Sequence, residues 1–335
     1  MWLLRPKSHS TTPLGLDIET PLGTNWPPNR VGVAIKSEDA GSMALTSINM
    51  SPRMGSEITI SKAELVSGEH AGELRQLLDQ RGVLLFRGLA PDDDELRTIA
   101  RTLGDLRIGA AKRGADGKVL TEGDEGLLKV SLDPEVNPEY ARFLLGNHLW
   151  HMDGTYEEVP PLATLFTPYR LSKTGGDTCF ANTYAAYEDL PEAEKTGLEK
   201  LRVVHTMQSA LFPVMRDCSA EQFAVWTSYP QRSHPLVWHH RSGRKSLVLS
   251  TSCAYIEGMH PAESHDLLQR LMVHTAQEKY VYRHKWHVGD LVIWDNTGAM
   301  HRVMPFDKES GREFHRCTLN GEEPITAPGQ KQVSA

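Results

Sequence analysis

Between residues 57 and 103 the apolar positions change period twice. Leu74, Leu77 and Leu78 recur at three- and four-residue spacing, one stripe of a helix. Gly82 ends that stripe. Val83-Leu84-Leu85-Phe86 follows as a short unbroken apolar run, the pattern of a strand covered on both faces. Asp92-Asp93-Asp94 then leads into Leu96, Ile99, Ala100 and Leu103, an acidic start to an amphipathic helix. A second helical stripe, Leu267, Leu268, Leu271 and Met272, stands behind Pro261, which suits a first helical turn. Strands are expected from Tyr280 and over Leu291-Val292-Ile293-Trp294, parted by a turn at Gly289-Asp290. Short strands dominate the second half, with helices before and between them. The pattern predicts an α+β protein whose β-core carries helices on its outside.

Two stretches lack periodicity. Residues 1–54 scatter Pro6, Pro13, Pro21, Pro27, Pro28 and Pro52 among Ser, Thr, Asn and Gly, and read as an extended or poorly ordered leader. Residues 107–135 are rich in glycine and charge and read as a mobile loop or lid. One domain is therefore expected over 55–325, followed by a tail over 326–335. The length of 335 residues suits a single large β-architecture with an appendage.

Charge and cysteine usage narrow the function. A formal charge of −7 weighs against nucleic acid or a membrane surface as partner, since both favour basic faces. No run of about 18 apolar residues occurs, so no membrane span is expected. The opening MWLLRPKSHS has no apolar stretch of secretory length. The four cysteines, Cys179, Cys218, Cys253 and Cys317, show no paired spacing and read as reduced thiols of a cytoplasmic protein. A homo-oligomer is compatible with all of this.

Candidate chemistry centres on His151-Met152-Asp153. If 149–153 is a strand, residues two apart share a face, so His151 and Asp153 can face one cation together. Alone the pair is weak; a capping or surface role explains most such pairs. A third ligand from His205, His239, His240, His284, His287, His301 or His315 would complete the two-histidine, one-carboxylate face of non-haem Fe(II) oxygenases. His239 and His240 cannot both serve one ion from a regular strand. His301, behind an apolar strand and a turn-like Asp295-Asn296-Thr297-Gly298, is better placed.

The segments LWHMDGTYEEVPPLATLFTPYRLSKTGGDTCFANTYAAYEDLP, from Leu149, and YVYRHKWHVGDLVIWDNTGAMHRVMPFDKESGREFHRCTL, from Tyr280, resemble the two halves of the taurine and 2,4-dichlorophenoxyacetate dioxygenase (TauD/TfdA) family. GVLLFRGL, from Gly82, matches its early strand. The likeness runs from about Met54 to Glu323, and the aryloxyalkanoate branch is nearest through SGRKSLVL and HVGDLVIWDN. The resemblance implies a distorted double-stranded β-helix, or jelly roll, with flanking helices. It implies an Fe(II)-dependent dioxygenase that takes 2-oxoglutarate and O2 as cosubstrates. It would hydroxylate a small organic anion while succinate and CO2 leave, and would cleave it where the hydroxylated carbon bears an ether oxygen or a sulfonate.

Carried over position by position, the resemblance makes His151, Asp153 and His301 the iron ligands. Arg312 and Thr178 would hold the distal carboxylate of 2-oxoglutarate, and Arg316 would sit near the cosubstrate or a substrate anion. Asn147 and Lys112 would touch substrate. The rival readings are local: Arg312 paired with Asp307 or Glu313, Thr178 a turn residue, Trp150 and Trp294 core aromatics, His148 and His315 structural. Thr297 stands where the family often has arginine, and Leu128-Lys129 where it often has Ser-Asn; these departures bear on substrate, not on iron. Arg316, Lys112 and Lys129 would make the mouth positive, which favours a carboxylate such as an aryloxyalkanoate over a sulfonate such as taurine. A non-catalytic jelly-roll sensor of metal or small acid, or a zinc hydrolase, would not need both the iron trio and Arg312 with Thr178.

Overall fold

The computed structural model describes residues 45–109, 112–113, 119–121, 125–137 and 143–327. In chain order the first half holds β1 (Thr46–Asn49), β2 (Ser56–Thr59), α1 (Lys62–Ser67), α2 (Ala71–Arg81), β3 (Val83–Phe86), α3 (Asp93–Leu103), β4 (Lys112–Arg113), β5 (Val119–Thr121), β6 (Leu128–Ser131), a 3-10 turn (Phe143–His148), β7 (Ala163–Arg170) and β8 (Thr178–Asn182). The second half holds α4 (Thr183–Glu188), α5 (Glu192–Leu198), β9 (Arg202–His205), α6 (Met207–Leu211), α7 (Ala220–Ser228), β10 (Arg232–Pro235), β11 (Val237–His239), β12 (Lys245–Leu247), β13 (Cys253–Ile256), α8 (Pro261–Thr275), β14 (Val281–His284), β15 (Leu291–Asp295), β16 (Ala299–Val303) and β17 (Glu313–Thr318).

A seven-stranded sheet in the order β1-β2-β3-β15-β7-β17-β6 faces a three-stranded sheet in the order β14-β8-β16. The large sheet is mixed: β2 runs parallel to β3, and the other pairings are antiparallel. Strand alternation sorts its side chains into two layers. Val83, Leu85, Phe166, Val292, Trp294 and Phe314 point inward and meet Phe180 and Ala299 of the small sheet. Leu84, Phe86, Leu165, Ile293 and Cys317 point outward into a second core with Leu74, Leu78, Leu96, Ile99 and Leu103 of α2 and α3. Behind the small sheet, Cys179, Ala181 and Met300 pack against Ala185, Leu198, Leu268 and Leu271 of α4, α5 and α8. Each sheet is thus buried on both faces, which explains the unbroken apolar run of β3.

The helix ends follow local chemistry. Asp92 accepts from the backbone N–H groups of Asp94 and Glu95, and Glu95 reaches back to the Asp92 N–H, a capping box at the acidic start of α3. Gly82 takes φ 69° to end α2 where the chain reverses into β3.

Three sequence readings change. Among the described residues β1 lies at Thr46–Asn49, inside the stretch read as leader over 1–54; four residues are too few to show a period, and the leader reading over 1–44 lies outside the described residues. The stretch read as a loop over 107–135 contains β6, the edge partner of β17. Residues 149–153 do not form a strand: His151 makes an isolated antiparallel bridge with His301, and the chain turns at Gly154, φ 72°. Among the described residues no helix is long and apolar enough to cross a membrane.

Candidate active site

Thr178 of β8, His301 of β16 and Arg316 of β17 open on one cavity with Asn147 and His151, ahead of β7, and Arg312, just before β17. His151 N donates to His301 O at 3.0 Å, and His301 N donates to His151 O at 2.8 Å. This two-way bridge sets the residues opposite each other, as directly paired strand residues are. Their ring centroids lie 4.1 Å apart. Asp153 lies 3.9 Å from His151 Nε2 through Oδ1 and 3.8 Å from His301 Nε2 through Oδ2. The three ligand atoms fall within 4.8 Å of one another, close enough to close on one ion.

The protonation chemistry suits a cation. His151 Nδ1 is bonded to Leu149 O at 2.8 Å, which places its N–H there and the lone pair on Nε2. Burial holds both imidazoles below their ordinary value, with His151 adding to the effect on His301, so both stay neutral ligands. Burial alone would raise the Asp153 carboxyl. Arg316, His301 and His151 outweigh it and hold Asp153 well below the usual carboxylate range. Arg316 Nη2 donates to Asp153 Oδ2 at 2.5 Å and to Thr164 Oγ1 at 3.2 Å.

Arg312 occupies the same cavity, lined also by Asn147, His151, Thr178, His301 and Arg316. It is 6 % exposed. Its guanidinium lies 4.0 Å from the Phe314 ring centre and 4.7 Å from that of Phe306. Its hydrogen bond runs from Nη2 to Gly176 O at 3.3 Å, and it forms no ion pair among the described residues. Burial pushes its pKa down to about 9. Neither Asp307 nor Glu313 takes it: Asp307 caps its own turn, and Glu313 faces outward to His315. Such a buried cation needs an anion. Gly176, φ +83°, allows the approach, because a Cβ there would stand 3.1 Å from Arg312 Nε.

A second chamber, of about 220 Å³, shares Arg316 with the first and continues past Asp153. Its walls include Gly154, Tyr156 and Pro161. Its far side is the Arg107–Glu157 pair, bidentate at 2.9 and 2.7 Å.

Asn147 therefore joins the trio, Thr178, Arg312 and Arg316 in one place. The Lys112 side chain lies outside the described residues. Lys129 is exposed on β6 and lines neither chamber; its neighbours Leu128 and Val130 take the inward positions. The expected positive mouth therefore does not include Lys129. Trp150 is core, while Trp294 lines the cavity 4.8 Å from the His301 ring. Sequence reasoning also passed over Phe306, Phe314, Tyr156 and the Arg107–Glu157 pair. The alternation along β17 from Arg312 through Phe314 to Arg316 could have revealed Phe314; the others depend on contacts between distant segments.

A family model described as "Taurine catabolism dioxygenase TauD, TfdA family" matches residues 46–318. The chain is 36 % identical over 264 residues to an alpha-ketoglutarate-dependent 2,4-dichlorophenoxyacetate dioxygenase of Burkholderia sp. strain RASC, covering 76 % of this chain and 88 % of that one. It is 31 % identical over 297 residues to an alpha-ketoglutarate-dependent sulfate ester dioxygenase of Pseudomonas putida, covering 81 % and 97 %. The crystal structure of AAD-2 in complex with Mn(II) and N-oxalylglycine matches with a TM-score of 0.70 and 28 % identity, covering 85 % of this chain and all of that one.

Proposed function

The chain belongs to the taurine catabolism dioxygenase TauD, TfdA family and is an Fe(II)- and 2-oxoglutarate-dependent dioxygenase; from this we propose how its own residues divide the work. His151, Asp153 and His301 hold the iron. Bound there, the metal supplies O2 activation that couples decarboxylation of 2-oxoglutarate, to succinate and CO2, to hydroxylation of a substrate C–H bond. Arg312 grips the distal carboxylate of 2-oxoglutarate, where its planar fork suits two oxygens, and Thr178 donates its hydroxyl to the same group. The carrying observation is that Arg312, a buried cation with no ion pair among the described residues, opens on the same cavity as His151 and His301 of a convergent His-Asp-His set.

The second chamber takes the substrate, and Arg316 receives its charge. We favour a small carboxylate of the aryloxyalkanoate kind, its anion at Arg316 and its ring beside Tyr156 and Pro161. Hydroxylation of a carbon that also bears an ether oxygen gives a product that falls apart, so the reaction becomes cleavage. A sulfonate or sulfate ester is the second reading, favoured by the Pseudomonas putida relative. The two facing sheets support a double-stranded β-helix. The β1–β2 pairing supports a catalytic unit that takes in Thr46–Asn49 besides the expected 55–325. Cys179, Cys218 and Cys253 are free thiols, which supports a cytoplasmic setting.

Turnover with Fe(II), O2, 2-oxoglutarate and a panel of carboxylates, sulfonates and sulfate esters tests the reading through succinate release. Coupled succinate with aryloxyalkanoates is expected. Coupling only to neutral or cationic compounds would overturn the substrate assignment.

A further inference from the structure

Thr178 is useful to a carboxylate only if its hydroxyl proton points into the cavity. A hydroxyl can donate once and accept twice, and it rotates to suit its neighbours. Among the described residues, Thr178 Oγ1 has one hydrogen-bond partner. The indole Nε1–H of Trp286 donates to it at 3.0 Å. An N–H cannot accept in return, so this contact occupies a lone pair and leaves the Thr178 proton for another acceptor.

Trp286 also reaches the other arm of the clamp. Its ring meets Phe314 edge-on, with centroids 4.8 Å apart, and Phe314 is the ring that Arg312 stacks on at 4.0 Å. The indole is itself held on two further sides, by Phe166 at 5.7 Å and by His284 at 4.4 Å and 89°. His284 is fixed in turn, with Nδ1 against the Tyr282 hydroxyl at 2.9 Å. Trp286 stands two residues past β14, which pairs with β8 so that His284 lies opposite Thr178.

We infer, on the basis of the clamp proposed above, that Trp286 is its positioning residue: it orients the Thr178 hydroxyl and braces the Phe314–Arg312 stack, without touching 2-oxoglutarate.

The test is the dissociation constant of 2-oxoglutarate, measured by anaerobic calorimetric titration of the Fe(II)-loaded protein. Trp286→Phe keeps an aromatic ring and removes the donor. It should weaken binding about five- to tenfold, the effect of one hydrogen bond, while kcat at saturating cosubstrate stays within about twofold. In a Thr178→Val background the same change should cost less than about twofold, since the partner is already gone. Equal losses in both backgrounds, or none in the wild type while Thr178→Val binds weakly, would overturn the role. If neither Thr178→Val nor Arg312→Lys alters binding, it is the clamp that fails. A measurement that spares Trp286 stands beside these: of the seven tryptophan indole N–H resonances in Zn(II)-loaded protein, one should move both in Thr178→Val and on adding 2-oxoglutarate. No such shared resonance also overturns the inference.

Discussion

Arg316 Nη2 donates to Asp153 Oδ2 at 2.5 Å, so the carboxylate of the metal-binding trio is already held by a cation. The same Nη2 reaches Thr164 Oγ1, which also accepts from Asn296 Nδ2 at 3.0 Å. Arg316 therefore orients a proposed ligand of the iron and faces the chamber proposed for the substrate anion. Arg316→Met should lower Fe(II) affinity roughly 10- to 100-fold, the usual cost of losing an outer partner. It should lower kcat/KM for an anionic substrate by more than that. Arg316→Lys should recover part of the charge effect and little of the orientation. Competition titration against a metal-binding dye and steady-state rates check both. Wild-type affinity in Arg316→Met would show that Asp153 needs no partner.

Arg312 sets function against stability. Among the described residues its buried guanidinium has no carboxylate partner, a cost the folded protein would carry until the proposed clamp takes 2-oxoglutarate. Arg312→Met should stabilise the cosubstrate-free protein by about 1–2 kcal/mol while abolishing 2-oxoglutarate binding. Urea unfolding without cosubstrate reads the first effect and calorimetry the second. A less stable Arg312→Met protein would mean that the Phe306–Phe314 stack outweighs the burial cost.

Asp295 predicts a pH dependence away from the iron. Burial, opposed by the hydrogen bonds it accepts from Thr297 N and Oγ1, lifts its carboxyl to about 6. A raised carboxyl holds its proton more tightly in the folded chain. Its contribution to stability is complete below the unfolded value of about 3.9 and is lost as pH rises through 6. Asp295→Asn keeps an oxygen for Thr297 and cannot ionise. Relative to the wild type it should gain up to about 3 kcal/mol between pH 4 and pH 8, because each tenfold gain in proton affinity on folding is worth about 1.4 kcal/mol. Parallel stability curves for the two proteins across that range would refute this.

Gly176 predicts a steric limit on the clamp. At φ +83° an added methyl is strained, and it would meet Arg312 Nε at 3.1 Å. Gly176→Ala should cost about 1–2 kcal/mol of stability and raise the KM for 2-oxoglutarate several-fold. Unchanged cosubstrate kinetics would separate the glycine from the clamp.

The sequence revealed elements wherever a period ran long enough. α2, α3, α8, β3 and β15 all lie where apolar spacing placed them. β1 and β6, each of four residues, carry no readable period and were missed. The grouping of His151 with Asp153 was anticipated from a strand that does not form; a single bridge and the Gly154 turn bring the two side chains together instead. Motif likeness pointed to Thr178, Arg312 and Arg316 because each stands at a fixed offset from a recognisable neighbour. Trp286, Tyr156 and the Arg107–Glu157 pair have no such offset. Their relevance comes from which strands lie side by side, and no single sequence encodes that legibly.

The reciprocal backbone bridge between His151 and His301 has a consequence for biosynthesis. The two residues stand 150 positions apart, and neither side chain is placed until the late strand docks. A chain in which β16 has yet to dock therefore lacks the complete donor set proposed for iron. On that assignment, metal capture has to wait for this long-range closure.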